Sequence, residues 1–305
     1  MPDIDESVGA EQRIGVMAGL VAYTLWGIFP VYFKLVEAAA PLEVLVHRIV
    51  WAVPFGALIL YFRRQWPDVR KVFRRTSTLF WLGLAALCIS ANWLIYVWAI
   101  HNGQIFATSL GYFINPLVYV AVGVFAFGER LSRLQFFSVI LAAIGVLYLT
   151  FIGGVFPWIA LSLAALFTAY GVIRKQINIG AMPGLFVETS LLFPLAAGYL
   201  AWLGASGQAA IVNGPSSLTA LLALAGPVTV LPLWMFAIAA RKLTLTTLGF
   251  MQFIGPSLQF MAGIYYGEEL TSADIVCFAF IWLAIVVFVT DAVTKKPRMA
   301  RPAGA

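Results

Sequence analysis

His47, Arg48 and Glu188 are the ionisable side chains standing inside the long apolar runs of this chain. At membrane depth an ionisable group is a functional candidate, because the bilayer core makes an unpaired charge expensive. Arg48 precedes Pro54 by six positions and Glu188 precedes Pro194 by six, so they hold matching places, opposite in sign, 140 positions apart. A direct ion pair between them does not fit their places in the chain. Each stands about six residues in from opposite membrane faces, which at ~1.5 Å per residue leaves them ~12 Å apart along the normal of a ~30 Å core. Each is expected to belong to a separate gate, with His47 beside Arg48 and with Glu188 the candidate for proton coupling. Snorkelling to the nearer interface is the alternative.

Uncharged polar and aromatic residues supply the rest of a possible site. Asn92 and Tyr96 are i, i+4 neighbours with Trp93 between them, which puts an amide beside a phenol on one helix face. Trp234 answers Trp93 in the second half, near Thr229 and Phe236; the first and sixth spans add Tyr23 and Trp26, then Thr168 and Tyr170. Aromatic walls with a few polar groups suit a small, flat or amphipathic organic molecule. Each Trp or Tyr also has a plainer reading as helix packing or as part of an interfacial belt, where Trp98 and Tyr266 belong. His101, next to Asn102, reads as a solvated turn residue.

Two proline stretches fix where such a site would lie. Ser109-Leu110-Gly111-Tyr112-Phe113-Ile114-Asn115-Pro116 is echoed by Gly249-Phe250-Met251-Gln252-Phe253-Ile254-Gly255-Pro256, 140 positions later. Proline lacks an amide hydrogen and crowds the carbonyl four residues back, so the carbonyls released are those of Tyr112 and Gln252. Ser109, Tyr112 and Pro116 share a face, as do Gly249, Gln252 and Pro256. Irregular backbone at membrane depth is tolerated where it is buried in protein or lines a cavity. A cavity wall and a packing kink are both compatible with one such proline; the matched pair favours the cavity wall, with Pro116 and Pro256 as pivots.

The elements that must position these residues are membrane helices. The chain has 305 residues, 62% hydrophobic and 10% charged, whereas soluble domains carry roughly 25% charged residues. With about 20 apolar residues per crossing, the expected spans are 14–34, 42–62, 79–100, 104–126, 133–151, 156–173, 184–203, 218–240, 244–266 and 272–292. If the N-terminus is cytoplasmic, 17 of the 19 Lys and Arg residues fall on cytoplasmic connections and tails, as the positive-inside rule requires. The net charge of +6 is thereby a matter of topology, and no nucleic-acid partner is expected.

Matching residues extend along both halves. Gly128-Glu129-Arg130-Leu131-Ser132 corresponds to Gly267-Glu268-Glu269-Leu270-Thr271, and Gly27 to Gly171, at offsets of 139 to 144. Two units of five spans result: 13–151 and 156–293, between cytoplasmic tails 1–12 and 294–305. Five is odd, so the second unit enters the membrane upside down relative to the first. An all-α membrane protein of ten transmembrane helices in two inverted-topology repeats is transporter architecture.

Enzyme signatures are missing: there is no P-loop, His-Glu-x-x-His or Gly-x-Ser-x-Gly. Cys88 and Cys277 both fall in apolar runs, without metal spacing. No cofactor, metal or catalytic residue is expected. The acidic N-terminus has no basic n-region, so no cleavable signal peptide is expected.

The run Ala22-Tyr23 to Trp26-Gly27, His47-Arg48 with Trp51, Asn92-Trp93, Gly111 to Pro116 and Gly128-Glu129-Arg130 resemble the RarD proteins. So do Gly249-Phe250, Gln252 to Pro256, Tyr266-Gly267-Glu268 and Phe278 to Trp282. RarD is a branch of the EamA group in the drug/metabolite transporter superfamily, and the resemblance covers about residues 13–293. It implies a multi-pass permease of the bacterial inner membrane, with both termini cytoplasmic. RarD proteins are named for chloramphenicol sensitivity; relatives in the superfamily export amino acids and other metabolites or exchange nucleotide sugars. The central cavity of such relatives is lined by helices one, three, four, six, eight and nine. The expected substrate-binding residues are Tyr23, Trp26, Asn92, Trp93, Tyr96, Ser109, Tyr112, Asn115, Tyr170, Trp234 and Gln252. Gating or coupling falls to His47, Arg48, Glu188, Pro116 and Pro256. The expected partners are a small-molecule solute, the lipid bilayer and protons as the candidate coupling ion, for a monomer or homodimer. The leading expectation is export by alternating access. An uncoupled amino-acid or metabolite facilitator and a non-transporting sensor or assembly component are the alternatives.

Overall fold

Proline decides where the first span bends. The computed structural model describes residues 4–127, 131–243, 247–248 and 251–294, with side chains described over 11–124, 131–243, 247–248 and 251–291. Helices α1 (Ile4–Gly27) and α2 (Phe29–Leu35) meet at Ile28 with a 42° bend. The expected span 14–34 is therefore bent, and Pro30 is the reason. It sits in the first turn of α2 and has no N–H for the carbonyl of Trp26. That carbonyl accepts from Gln259 Nε2 instead, at 3.2 Å.

The remaining described helices are α3 (Pro41–Phe62), α4 (Trp66–Phe73), α5 (Thr76–His101), α6 (Ile105–Phe127), α7 (Arg133–Phe151), α8 (Trp158–Gln176), α9 (Ala181–Ala205), α10 (Ala210–Asn213), α11 (Ser216–Lys242), α12 (Ile254–Tyr265) and α13 (Ser272–Thr294). No strand occurs among the described residues. Among the described residues eight helices are long and apolar enough to cross a membrane, and the bent α1–α2 pair makes a ninth. The expected span 244–266 lies partly outside the described residues, as do Gly249, Phe250, Gly128, Glu129 and Arg130 of the repeat motifs. Of that span, Met251 is helical, Gln252 and Phe253 form a turn, and α12 follows.

The two proline stretches differ. Pro256 lies in the first turn of α12, directly after the turn at Gln252 and Phe253, so this motif is a real break. Pro116 lies inside α6, which is helical from Ile105 to Phe127. The expected interruption at Pro116 is therefore a single missing amide in a continuous helix. A proline inside a helix removes one backbone bond, and the helix continues where packing holds the other turns.

The chain divides into two compact units. The first contains Met1–Tyr112 and Trp158–Glu268. Within it α1 packs on α11 and α12, α5 on α8, and α3 on α9, α11 and α5; α5 and α11 both touch α9. Gly111 on α6 permits a close approach to α8: a Cβ there would lie 2.9 Å from the Ala160 carbonyl oxygen and 3.2 Å from Leu163 Cβ. Glu268 caps the start of α6, accepting from Ile105 N at 2.6 Å and Phe106 N at 3.2 Å. Glu43 in the first turn of α3 accepts from Ala210 N at 2.7 Å, at the start of α10. Both carboxylates, Glu43 buried and Glu268 half-buried, satisfy helix-start amides that otherwise lack partners.

The second unit contains Phe113–Pro157 and Glu269–Ala305. Its core is the extensive packing of α7 on α13. Gly145 makes that approach possible, since a Cβ there would lie 2.9 Å from Phe280 Cβ and 3.1 Å from the Cys277 carbonyl oxygen. Phe113 meets Phe278 and Trp282 edge-on, both at 6.3 Å. Ser132 caps α7 through a capping box with Gln135 and also donates to Asp291 Oδ1 at 2.8 Å. Cys88 and Cys277 are free thiols.

Candidate functional site

Arg48 lies in the second turn of α3 and is only 2% exposed. Its Nε donates to Thr229 Oγ1 on α11 at 3.0 Å, and that hydroxyl donates to the Ala225 carbonyl one turn back at 2.8 Å. Rings surround the rest of the guanidinium. Its central carbon is 4.2 Å from the ring centroid of Trp93, 5.2 Å from that of Phe33 and 5.9 Å from that of Phe29. The phenols of Tyr32, Tyr96 and Tyr112 are near enough to feel its charge. No carboxylate pairs with Arg48 among the described residues. The adjacent His47 is 2% exposed and accepts from Trp51 Nε1 through Nδ1, at 3.3 Å.

From Arg48 a path of rings leads to Glu188. Phe33 meets Tyr96 at 5.8 Å, Tyr96 meets Tyr112 at 5.7 Å, Tyr112 meets Phe167 at 6.2 Å, and Phe167 meets Tyr170 at 6.2 Å. Tyr170 then donates to Glu188 Oε2 at 3.3 Å. Separations of 4.5–7 Å are the favourable range for aromatic pairs. Asn92, fully buried, braces the middle of the path. Its Nδ2 donates to the Leu163 carbonyl of α8 at 2.9 Å, and its Oδ1 accepts from the Tyr112 hydroxyl in a long contact of 3.4 Å.

Glu188 does not reach Arg48. It is 1% exposed and pairs with Arg174 Nη1 at 3.4 Å. Arg174 also donates from Nη2 to the Gly180 carbonyl at 3.3 Å, so the pair closes the hairpin between α8 and α9. The opposite-sign residues are thus both buried, each among different neighbours.

Other expected site residues fall into smaller groups. Tyr23 donates to the Leu248 carbonyl at 3.3 Å and packs against Trp26 at 5.4 Å and Phe236 at 6.1 Å. Trp26 also packs against the cluster holding Phe33 and Tyr96. Trp234 shares a second cluster with Trp93. Ser109 donates to the Pro256 carbonyl at 2.8 Å, which ties the two proline stretches together. Gln252 is half-buried in its turn. Asn115, 2% exposed, and Pro116 belong to the second unit. His101 is not a solvated turn residue: it ends α5, half-buried, with Nε2 3.1 Å from the Phe33 carbonyl oxygen.

Sequence reasoning missed Phe29, Phe33, Phe167 and Arg174. The phenylalanines carried no polar signal in a chain with 24 of them. Arg174 stood in the cytoplasmic charge count; its place at the end of α8, one short turn before the helix of Glu188, was the available signal. Among the described residues no group of His, Cys, Asp or Glu is arranged to hold a metal. An open cleft of about 930 Å³ among Lys71, Arg74, Arg75, Gln176 and Asn178 includes none of the residues of the ring path.

Apolar helices of bilayer length, enclosing a buried cation and carboxylate, define a polytopic membrane protein of transporter type. The profile of the EamA-like transporter family matches residues 13–151. Protein RarD of Escherichia coli is 41% identical over 95% of this chain and 99% of its own length. An uncharacterized transporter of Vibrio cholerae is 45% identical over 92% and 93%, respectively. The chloramphenicol-sensitive protein RarD of Pseudomonas aeruginosa is 32% identical over 94% and 97%. The chain belongs to the RarD family of EamA-like transporters, multi-pass proteins of the bacterial inner membrane. A solved crystal structure, 18% identical and covering 95% of this chain and 99% of its own, has a TM-score of 0.57, which speaks to fold alone.

Proposed function

We propose that this protein is a secondary transporter that moves a small organic metabolite or drug-like solute outward. The repeats 13–151 and 156–293, each of five spans and inverted relative to the other, alternate access to a cavity near the bilayer midplane, with both termini cytoplasmic. The observation that carries this reading is the ring path between Arg48 and Glu188, because it gives a solute stacking surfaces with a charged group at each end. Reciprocal packing within the first unit supports the repeat: α1 on α11 mirrors α5 on α8, α3 on α11 mirrors α9 on α5, and α3 on α5 mirrors α9 on α11. The turn before Pro256 serves as hinge; the missing amide at Pro116 loosens α6 at the matching position.

The pairing of Glu188 with Arg174 favours a second reading, an uncoupled facilitator, since a carboxylate held in an ion pair must leave it to carry a proton. Flux into proteoliposomes with and without a pH gradient separates the two, using amino acids, nucleosides and, given the name of the Pseudomonas relative, amphenicols. Solutes that bind should do so at least tenfold more weakly to Asn92→Ala or Trp93→Ala. Binding unaltered in both variants places the site elsewhere, and no flux of any solute leaves a sensor or assembly component.

A further inference from the structure

We propose that Arg48 anchors an oxyanion, so that the solute is a small organic carboxylate with a flat apolar body. This rests on the transporter reading for the solute's being carried, but not for its being bound. A guanidinium cannot be neutralised by losing its proton in a protein, so Arg48 is a permanent cation at 2% exposure. Cation–π contacts offset only part of the cost of burying an ion without a counter-charge. Among the described residues every paired carboxylate is paired with another cation. Only Nε of Arg48 has a hydrogen-bond acceptor there, the Thr229 hydroxyl. The terminal nitrogens form the fork that binds a carboxylate through two parallel hydrogen bonds.

Among the described residues none of the neighbouring tyrosine hydroxyls accepts from Arg48. Tyr32 donates to the Leu221 carbonyl at 2.9 Å, Tyr112 donates to Asn92 Oδ1, and the buried Tyr96 hydroxyl has no partner. What they and Trp93 do offer is ring surface beside the cation, matched to a flat solute attached to the anion. A phospholipid headgroup carries the same oxyanion chemistry, but a headgroup needs a residue open to the lipid, and Arg48 is enclosed by rings. The geometry therefore favours a soluble carboxylate.

The test uses the full-length protein in phosphatidylcholine nanodiscs, titrated with phenylacetate, its neutral isostere phenylacetamide and the cation 2-phenylethylamine. Thermal stability and tryptophan emission, to which Trp93 contributes, report binding. Phenylacetate is expected to bind at least tenfold more tightly than phenylacetamide, and Arg48→Gln to remove that preference, with Arg48→Lys intermediate. If Arg48→Gln does not fold, the comparison of isosteres on the unmodified protein decides. Equal binding of the acid and the amide, no binding of the acid, or binding unchanged in Arg48→Gln overturns the proposal. Loss of the phenylacetate response when phosphatidylglycerol is added assigns Arg48 to a lipid headgroup and also overturns it. Phenylacetate binding without flux upholds the anion site while removing the transporter reading; flux of neutral solutes that ignores Arg48→Gln does the reverse.

Discussion

Ser109 Oγ donates to the carbonyl of Pro256, 147 residues further along the chain, at 2.8 Å, joining the two proline stretches. Both residues are buried. The bond fastens the start of α12, where the backbone has just come out of a turn, to the regular helix α6. Ser109→Ala leaves the packing in place and removes the donor. A net loss of about 1 kcal/mol is expected, read as a lower unfolding temperature in detergent. If the hinge at Gln252 matters for transport, Ser109→Ala also changes flux more than it changes solute binding.

Gly111 is a packing requirement with a built-in control. An added Cβ would meet the Ala160 carbonyl at 2.9 Å, and backbone cannot rotate out of the way. Gly111→Ala should therefore cost about 1–3 kcal/mol as an overpacked contact and disturb the nearby bond from Asn92 to Leu163. Gly198, inside α9, has nothing within 4 Å of the same added atom. Gly198→Ala should leave stability unchanged or raise it by up to about 1 kcal/mol through helix propensity. Equal behaviour of the two variants in a thermal melt would sink the close-approach account.

These positions show what a sequence discloses and what only packing supplies. Hydropathy marked the spans because a bilayer demands long apolar helices, whatever they pack against. Trp93 was visible as a polar-tipped ring beside Asn92, but its role as a face for Arg48 depends on α3 and α5 lying together. Phe33 and Phe167 are ordinary phenylalanines until two helices bring them between tyrosines. The prolines misled in both directions: Pro116 read as a break yet lies in continuous helix, while Pro30 was passed over and bends the first span. A missing amide is legible in a sequence; whether its orphan carbonyl bends the helix is decided by the neighbours that can satisfy it.

Glu188 and Arg174 give the test of coupling. The pair is buried at the carboxylate end and 14% exposed at the guanidinium end. If Glu188 carries the proton, solute flux in proteoliposomes accelerates under a pH gradient and Glu188→Gln abolishes that acceleration. Gradient dependence retained in Glu188→Gln would rule the residue out as the proton carrier. Arg174→Gln strands the carboxylate, an effect of about 3–5 kcal/mol for a fully buried pair, to be discounted here because Arg174 reaches solvent. The double variant Arg174→Gln with Glu188→Gln should be more stable than Arg174→Gln alone.

The bend at Ile28 yields a prediction in which two defects offset each other. Pro30 deprives the Trp26 carbonyl of its helical donor, and Gln259 Nε2 supplies one from α12 at 3.2 Å. That assignment of the amide is fixed by chemistry, since a carbonyl needs a donor. Gln259 is only 3% exposed, and Gln259→Leu would leave the carbonyl of half-buried Trp26 without its donor, at about 1 kcal/mol or more. Pro30→Ala restores an N–H at the position four residues after Trp26. In the Pro30→Ala background the same Gln259→Leu substitution should cost markedly less, because the helix can then close on its own carbonyl. Measured as a double-mutant cycle of unfolding temperatures, the coupling should be favourable for the double variant. Strict additivity would mean that the bend is held by packing around Ile28 rather than by the bond from Gln259.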